Sequence, residues 1–353
     1  MAVDRVGRDT IRMSDTITAS APMKIHLIGE HSVVYGEPAI IAAIGTRVRV
    51  KLSESDNIVI KDDQLKENFE FSVDEVLSFT KSARNVWKEC NAKNNFGEIA
   101  KIASDHAGFK MASIGEAMLR LKIKSGVFLE VDRDFPPLGG LGSSAAYAVA
   151  LPFALARLNG KSVTREEAND IAFEIEKFSH GSPSGGDNTV CCFGGLVWFQ
   201  KSSPKAIIES LDSDAFDNFV LVYTGEPEKS RASIIQGVKD LEEDYRNRRI
   251  KALGAATVKM RDAIVGRNFD SIKNLINLAQ RNLAELGVST RNIDRIAQAV
   301  VGVGGAAKLC GAGGGGFMLC CHENKNKLVN LIKNLGYDPI EISLAAEGVR
   351  IEK

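Results

Sequence analysis

The sequence lacks an excess of either charge, and it lacks a long uninterrupted apolar stretch. Its 353 residues contain 45 Lys and Arg against 45 Asp and Glu, so the formal net charge is zero. A nucleic-acid binder or a polybasic membrane-surface protein needs an excess of basic residues, and the balance argues against both classes. The longest apolar run, residues 145–156, is too short to span a bilayer and contains Pro152.

Signals for secretion and for disulfide or zinc cross-links are also lacking. Residues 1–18 contain no apolar core of a signal peptide. The six cysteines include adjacent pairs at 191–192 and 320–321, and they form no Cys-x-x-Cys motif. Neither the cysteines nor the histidines have partners at metal-ligand spacing, which disfavours a structural zinc site. We therefore expect a reduced, soluble, cytoplasmic enzyme.

The chain divides into three segments by composition and pattern. Residues 1–18 are predicted to be a polar N-terminal extension, residues 19–203 a first domain and residues 204–353 a second domain. Short alternating apolar stretches are mixed with helix-period segments, but the regular alternation of a doubly wound fold is absent. The sequence therefore predicts an α+β protein with two domains and antiparallel sheets.

Two local patterns lie in the second half of the first predicted domain. Thr164 and Glu167 form a capping box, which predicts the start of a helix. Residues 189–199 (TVCCFGGLVWF) predict a strand hairpin that is interrupted by Gly194 and Gly195.

The strongest single signal is a glycine- and serine-rich segment, residues 136–146 (PPLGGLGSSAA), between a predicted strand and an apolar helix. Glycines let the backbone turn tightly around an anion, and the helix that follows presents free N–H groups. Ser143 and Ser144 can donate hydroxyls to phosphate, or one of them can ligate Mg²⁺. An ordinary turn with a serine cap is the alternative. The segment matches neither a Walker A loop nor a convincing dinucleotide fingerprint.

A second glycine cluster, residues 311–316 (GAGGGG), lies between apolar stretches near the C-terminus. Four consecutive glycines cost conformational entropy, which suggests a close backbone approach to a ligand such as the same phosphate chain. A flexible hairpin or a β-bulge is the alternative.

Three charged residues are candidates for chemistry. If the segment around Lys24 is a strand, Lys24, His26 and Ile28 share one face. Lys24 is then either an edge residue that opposes aggregation or a functional cation. Asp187 lies among small residues, where it either faces a ligand or forms an Asx turn. Glu176 lies near a predicted helix end, and a surface salt bridge is its alternative role.

Three blocks in a fixed order resemble the signature motifs of the GHMP small-molecule kinase family. They read APMKIHLIGEHSVVYGEPAI, PPLGGLGSSAA and KLCGAGGGGFMLCC. Two further segments, HGSPSGGDNTV and LGVSTRNIDRI, are most similar to the members that phosphorylate mevalonate. The resemblance implies a two-domain α+β fold. Its N-terminal domain would be like domain 2 of ribosomal protein S5, its C-terminal domain would be ferredoxin-like, and the active site would lie between them.

The resemblance also implies roles for individual residues. Asp187 matches the catalytic aspartate, Lys24 the lysine paired with it, and Ser144 and Glu176 the ligands of Mg²⁺. Beside Lys24, we expect Asp187 to stay ionised, because an adjacent cation lowers the pKa of a carboxyl group. The implied ATP-binding loop comprises Pro137, Gly139, Gly140, Leu141, Gly142, Ser143, Ser144 and Ala145. The residues implied to lie near the acceptor are Glu30, His31, Gly313 and Gly314.

By this resemblance the chain uses ATP and Mg²⁺ to phosphorylate mevalonate to 5-phosphomevalonate in isoprenoid biosynthesis. Its partners would be these small molecules, without nucleic acid or membrane, and a homodimer is left open. The nearest alternatives are sibling kinases that act on phosphomevalonate, homoserine or a sugar. From other classes, the alternatives are a non-catalytic regulator of the same fold and a dinucleotide-binding oxidoreductase.

Two residues are unusual for the pattern. The first block of the family usually has glycine where this chain has Met23, and methionine cannot reach all the backbone angles open to glycine. This puts the approach of the first strand to the acceptor in question. Pro152 lies inside the helix after the glycine loop, where it is expected to kink the helix and remove one hydrogen bond.

Overall fold

The structure is a computed structural model, and it describes residues 16–62, 64, 66–134, 140–202, 206–211 and 216–353. Within these residues the chain forms twelve β-strands and eleven α-helices. The strands are β1 (Ile17–Ile28), β2 (Ala39–Ser55), β3 (Ile58–Asp62), β4 (Glu67–Phe71), β5 (Gly126–Arg133), β6 (Leu196–Gln200), β7 (Ile207–Leu211), β8 (Phe216–Tyr223), β9 (Ala306–Leu309), β10 (Phe317–Cys321), β11 (Pro339–Leu344) and β12 (Arg350–Ile351).

Helices are concentrated in the middle of the chain and again before the last strands. They are α1 (Val73–Ala92), α2 (Gly97–Ser104), α3 (His106–Leu121), α4 (Ser143–Leu158), α5 (Arg165–His180), α6 (Gly186–Phe193), α7 (Arg231–Lys239), α8 (Glu243–Val265), α9 (Phe269–Glu285), α10 (Arg291–Gly302) and α11 (Lys325–Asn334). A short 3₁₀ turn, Ser32–Tyr35, follows β1.

Strand β2 is the centre of the sheet. It pairs with β1 along one edge and with β6, β11 and β5 in succession along the other. Beyond β11 the sheet continues through β8, β10 and β9, and beyond β5 through β3 and β4. The pairs are antiparallel except β3 with β5. The strands of both predicted domains therefore meet at β2, and the predicted α+β class with largely antiparallel pairing is confirmed.

The start of β2 is buried because helices α4, α6 and α8 all pack against it. Residues 39–44 (AIIAAI) are all buried, as an apolar run covered on both faces requires. Helix α4 continues through the buried Pro152. None of the described helices combines the length and apolar composition that a bilayer-spanning segment requires.

The predicted helix start at Thr164 is confirmed, and the predicted hairpin over residues 189–199 is wrong. Thr164 and Glu167 form both hydrogen bonds of a capping box at α5. In place of the first hairpin strand the chain forms α6, whose Cys191 and Cys192 are fully buried. A short run of apolar residues fits a buried helix as well as a strand, and packing against α4 and β1 decides for the helix.

Strand β1 begins before the end of the predicted N-terminal extension, and it includes Met23. Ile17 and Thr18, at the end of the predicted extension, are the first residues of β1, and residues 1–15 lie outside the described part. The division between residues 203 and 204 stays a prediction. Met23 lies in the extended backbone of β1 with its side chain buried, so this position does not require glycine. The pairing of β1 with β2 shifts register between Pro22 and Met23, and the approach of this strand to the acceptor stays a prediction.

Candidate active site

Several separate parts of the chain meet around one cavity of about 360 Å³. They include β1, the start of α4, the start of α6 and the glycine turn between β9 and β10, together with the end of α5 and the segment from the end of β8 to α7. The cavity therefore gathers the three glycine- or lysine-bearing blocks and the acid loop that the sequence singled out.

Lys24 and Asp187 form an ion pair at this cavity, as predicted. Nζ of Lys24 lies 2.9 Å from Oδ2 of Asp187, with the lysine side chain 7% exposed and the aspartate side chain 31% exposed. The backbone N–H of Lys24 donates to the carbonyl of Leu141 at 2.9 Å, which joins β1 to the glycine-rich loop before α4. Gly142 has a φ of 70°, and a Cβ there would lie 2.7 Å from Cγ of Lys24. Any other residue at position 142 would strain the backbone and press on the Lys24 side chain, so this turn favours glycine.

The charge of Lys24 controls the ionisation of Asp187. Burial alone would raise the pKa of this carboxyl group, but the charge and hydrogen bond of Lys24, with a contribution from His26, lower it below its ordinary value. Asp187 is therefore ionised at neutral pH. It also lies in the first turn of α6, where the helix dipole favours a negative charge.

Glu176 has the opposite electrostatic surroundings. Its side chain is 2% exposed, and burial, with the nearby charge of Asp187, raises its pKa to about 8. Oε1 of Glu176 has no hydrogen-bond partner among the described residues, while Oε2 lies 3.4 Å from Nε2 of His180. A hydrogen bond with Ser144 at the start of α4 opposes the rise of the pKa.

The surroundings of Glu176 fit a divalent cation. An unpartnered, buried carboxylate oxygen beside a hydroxyl is a suitable donor set for Mg²⁺, and the cation would hold the carboxylate ionised. No cluster of three or more His, Cys, Asp or Glu that could hold a metal occurs among the described residues. Ser144 and Glu176 would therefore share Mg²⁺ with phosphate oxygens and water, as Mg²⁺ commonly requires.

The start of α4 is open to an anion. Its N-cap residue is Gly142, and no side chain caps the helix. Ser143 and Ser144 line the cavity, so the first N–H groups of α4 lie beside it. The serine cap of the alternative interpretation is therefore absent among the described residues, and phosphate binding by this turn stays a prediction.

The second glycine turn also lines the cavity. Gly311, Gly313, Gly315 and Gly316 line it, and all four have positive φ. A Cβ at Gly313 would lie 2.3 Å from the carbonyl oxygen of Val288, so close packing within the second half already requires this glycine. Gly314 packs against Ile234.

Glu30 and His31 tie the first block to the third. Buried Glu30 forms an ion pair with the fully buried Lys308, which also donates to the carbonyls of His26 and Leu309 at 3.1 and 3.0 Å. Nε2 of His31 lies 2.8 Å from the carbonyl oxygen of Ala312. These contacts join β1 to β9 and the glycine turn. Contact of Glu30 and His31 with the acceptor stays a prediction.

Comparison with known proteins identifies the family. Residues 109–195 match the model described as the GHMP kinases N-terminal domain, and residues 260–338 match the GHMP kinases C-terminal model. The mevalonate kinase of Thermococcus sibiricus is 32% identical over 350 residues, which cover 95% of this chain and 98% of the relative. The chain belongs to the GHMP kinase family.

Solved structures share the fold of this GHMP kinase. The mevalonate kinase of Methanococcus jannaschii superposes with a TM-score of 0.78 at 22% identity, covering 95% of this chain and all of that one. The L. major mevalonate kinase, solved in complex with R-mevalonate, gives 0.73 at 20% identity, covering 96% of this chain and all of that one. The two-domain GHMP kinase fold expected from the sequence is thereby confirmed.

Seven of the fifteen residues that the sequence singled out as site residues of this kinase line the cavity. They are Lys24, Gly140, Gly142, Ser143, Ser144, Asp187 and Gly313. Leu141 and Ala145 lie in the core behind the loop, and Pro137 and Gly139 lie outside the described residues. The roles of all these residues stay predictions.

Several residues at or near the cavity of this kinase were missed as site residues, among them His26, His180, Tyr223 and Lys308. His26 and His180 line it, and the sequence signal for His26 was its shared strand face with Lys24. Tyr223 also lines the cavity, and its hydroxyl donates to Glu226 at 2.5 Å. Lys308 had no local signal, because its partner Glu30 is far away in the sequence.

Proposed function

We propose that the protein transfers the γ-phosphoryl group of ATP to the 5-hydroxyl of mevalonate and releases 5-phosphomevalonate. Membership of the GHMP kinase family implies the use of ATP. Mevalonate is supported as the acceptor by a relative of that activity that aligns over nearly the whole of both chains. The observation that carries the proposed chemistry is the 2.9 Å Lys24–Asp187 pair beside the start of α4.

In the proposed reaction the acceptor hydroxyl oxygen forms a bond to the γ-phosphorus while the bond to the β–γ bridging oxygen breaks. Asp187, ionised beside Lys24, orients the hydroxyl and takes its proton as the new bond forms. Lys24 holds Asp187 in place and lies at the cavity, where its charge favours the developing anion. The N–H groups at the start of α4 bind phosphate oxygens.

Mg²⁺ is proposed as the second cofactor. When bound, it would offset the negative charge of the transferring phosphoryl group. Ser144 and Glu176 would hold it, because the Ser144 hydroxyl lines the cavity and Glu176, which is hydrogen-bonded to Ser144, has an unpartnered buried carboxylate oxygen.

The acceptor is tested by measuring ADP release with ATP, Mg²⁺ and one candidate acceptor at a time. Mevalonate is expected to give the highest kcat/KM among mevalonate, phosphomevalonate, homoserine and galactose. A higher kcat/KM for any other acceptor would show that the protein is a kinase of the same family with that acceptor as its substrate. No ADP release with any of them would support the non-catalytic alternative.

We also propose a cytoplasmic location. All six cysteines are buried free thiols, which fits a reducing compartment. Cell fractionation tests this proposal. The homodimer stays a prediction, which light scattering of the purified protein tests.

A further inference from the structure

Arg133, the last residue of β5, has its guanidinium fixed by a buried carboxylate. Nη1 and Nη2 of Arg133 donate to the two oxygens of Asp62 at 2.8 and 2.7 Å. Asp62 is fully buried and also accepts from Nζ of Lys110 at 3.2 Å. A two-pronged bond to a planar guanidinium sets its orientation, so the direction of the remaining Nε–H is set as well.

The free edge of this guanidinium reaches the phosphate loop. Nε of Arg133 donates to Oγ of Ser143 at 3.2 Å. Ser143 is the first residue of α4 and lines the cavity. Because Arg133 ends β5 and Ser143 begins α4, this one hydrogen bond joins the two ends of the glycine loop.

The chemistry of a hydroxyl determines what this contact does. A serine hydroxyl has one proton to donate and two lone pairs that accept. A guanidinium has only donors, so Arg133 must occupy a lone pair and the hydroxyl proton must point elsewhere. A charged donor on the oxygen also polarises the O–H bond and makes it a better donor. At this position the proton is available to a phosphate oxygen in the cavity.

We propose that Arg133, held by Asp62, is a positioning residue that presents the Ser143 hydroxyl as a donor to the polyphosphate of the nucleotide. The inference rests on the proposed use of ATP at this cavity, and it is independent of which acceptor is phosphorylated. Arg133 acts through Ser143, so removing Arg133 weakens nucleotide binding only while Ser143 is present.

A double-mutant cycle read out by calorimetric binding of Mg·ADP tests this inference. Two variants are used, because Arg133→Met leaves Asp62 paired with Lys110 alone and D62N/R133M leaves Lys110 without that carboxylate, and the folded state of each is checked by circular dichroism. We expect the dissociation constant of Mg·ADP to rise about tenfold in both variants, the scale of a lost charged hydrogen bond. The KM for mevalonate is expected to be unchanged.

Ser143→Ala supplies the other arm of the cycle. In the Ser143→Ala background, D62N/R133M is expected to cause less than a twofold further change. The matched control is Arg49→Met, which removes an arginine that pairs with Asp132 and Asp134 beside Arg133. It is expected to change the affinity by less than twofold.

Two results would overturn the inference. One is a tenfold weakening by D62N/R133M that is the same with and without the Ser143 hydroxyl. The other is an equal weakening by Arg49→Met, which would assign the effect to general charge. Because the readout is ADP binding, a protein that binds ADP with this pattern but does not phosphorylate mevalonate would refute the acceptor and support the role of Arg133.

Discussion

The two carboxylates of the candidate site, Asp187 and Glu176, lie close together and have opposite electrostatic environments. Asp187 has its own cation, since Lys24 lies 2.9 Å away and keeps the pKa of the carboxyl group low. Glu176 is buried more deeply, and its pKa rises to about 8. The difference indicates that a side chain of the protein neutralises the charge of Asp187, whereas a bound cation would neutralise the charge of Glu176. The first suits a proton acceptor, and the second suits a metal ligand.

Replacing the paired carboxylate should have the largest effect on turnover. Asp187→Asn keeps the shape of the side chain but cannot accept the hydroxyl proton. We expect kcat for mevalonate to fall by about 10²-fold or more, the scale of a lost general base. Steady-state ADP release measures it, with Asp170→Asn on the exposed side of α5 as the control. If Asp187→Asn turned over at nearly the rate of the unchanged protein, Asp187 would not be the group that accepts the hydroxyl proton.

Replacing the more deeply buried carboxylate, Glu176, should instead change the requirement for metal. In Glu176→Gln the Mg²⁺ concentration for half-maximal activity is expected to rise about tenfold, because one oxygen of the donor set loses its charge. Glu174→Gln, two residues earlier on the same helix and paired with Lys177, is the matched control. An unchanged Mg²⁺ requirement in Glu176→Gln would contradict the ligand role.

The smallest expected effects are on stability, and they have opposite signs. Without Mg²⁺, the raised pKa of Glu176 means that the folded state holds a proton that the unfolded state releases between about pH 4.5 and pH 8. Stability therefore falls as the pH rises through this window. At pH 8 in a chelator, Glu176→Gln should raise Tm by about 2 °C or more. Asp187→Asn should lower it, because Lys24 stays buried without its partner. Shifts of the same sign would contradict the difference between the two carboxylates.

Local patterns in the sequence predicted the parts of the site that depend on nearby residues. The phosphate loop followed from glycines and serines before an apolar helix, and the start of α5 followed from the Thr164–Glu167 pair. Helix α6 was missed because a short apolar run does not distinguish a helix from a strand until α4 packs on it.

Contacts between distant segments could not be predicted in the same way. Lys308 pairs with Glu30 across 278 positions, and Arg133 pairs with Asp62 across 71. Neither residue has a partner at helix or strand spacing, so only the folded chain brings these charges together. The Lys24–Asp187 pairing was expected only from the family resemblance, for the same reason.

The most direct test is an NMR titration of the Asp187 and Glu176 side-chain carboxyl carbons in the Mg²⁺-free protein. The account predicts that Asp187 stays ionised below its ordinary pKa of 3.8 and that Glu176 titrates near pH 8. Adding Mg·ADP should then lower the midpoint of Glu176 and leave Asp187 ionised. Two results would contradict this account. One is that both carboxyl groups titrate at their ordinary pKa values, and the other is that Mg·ADP does not shift the titration midpoint of Glu176.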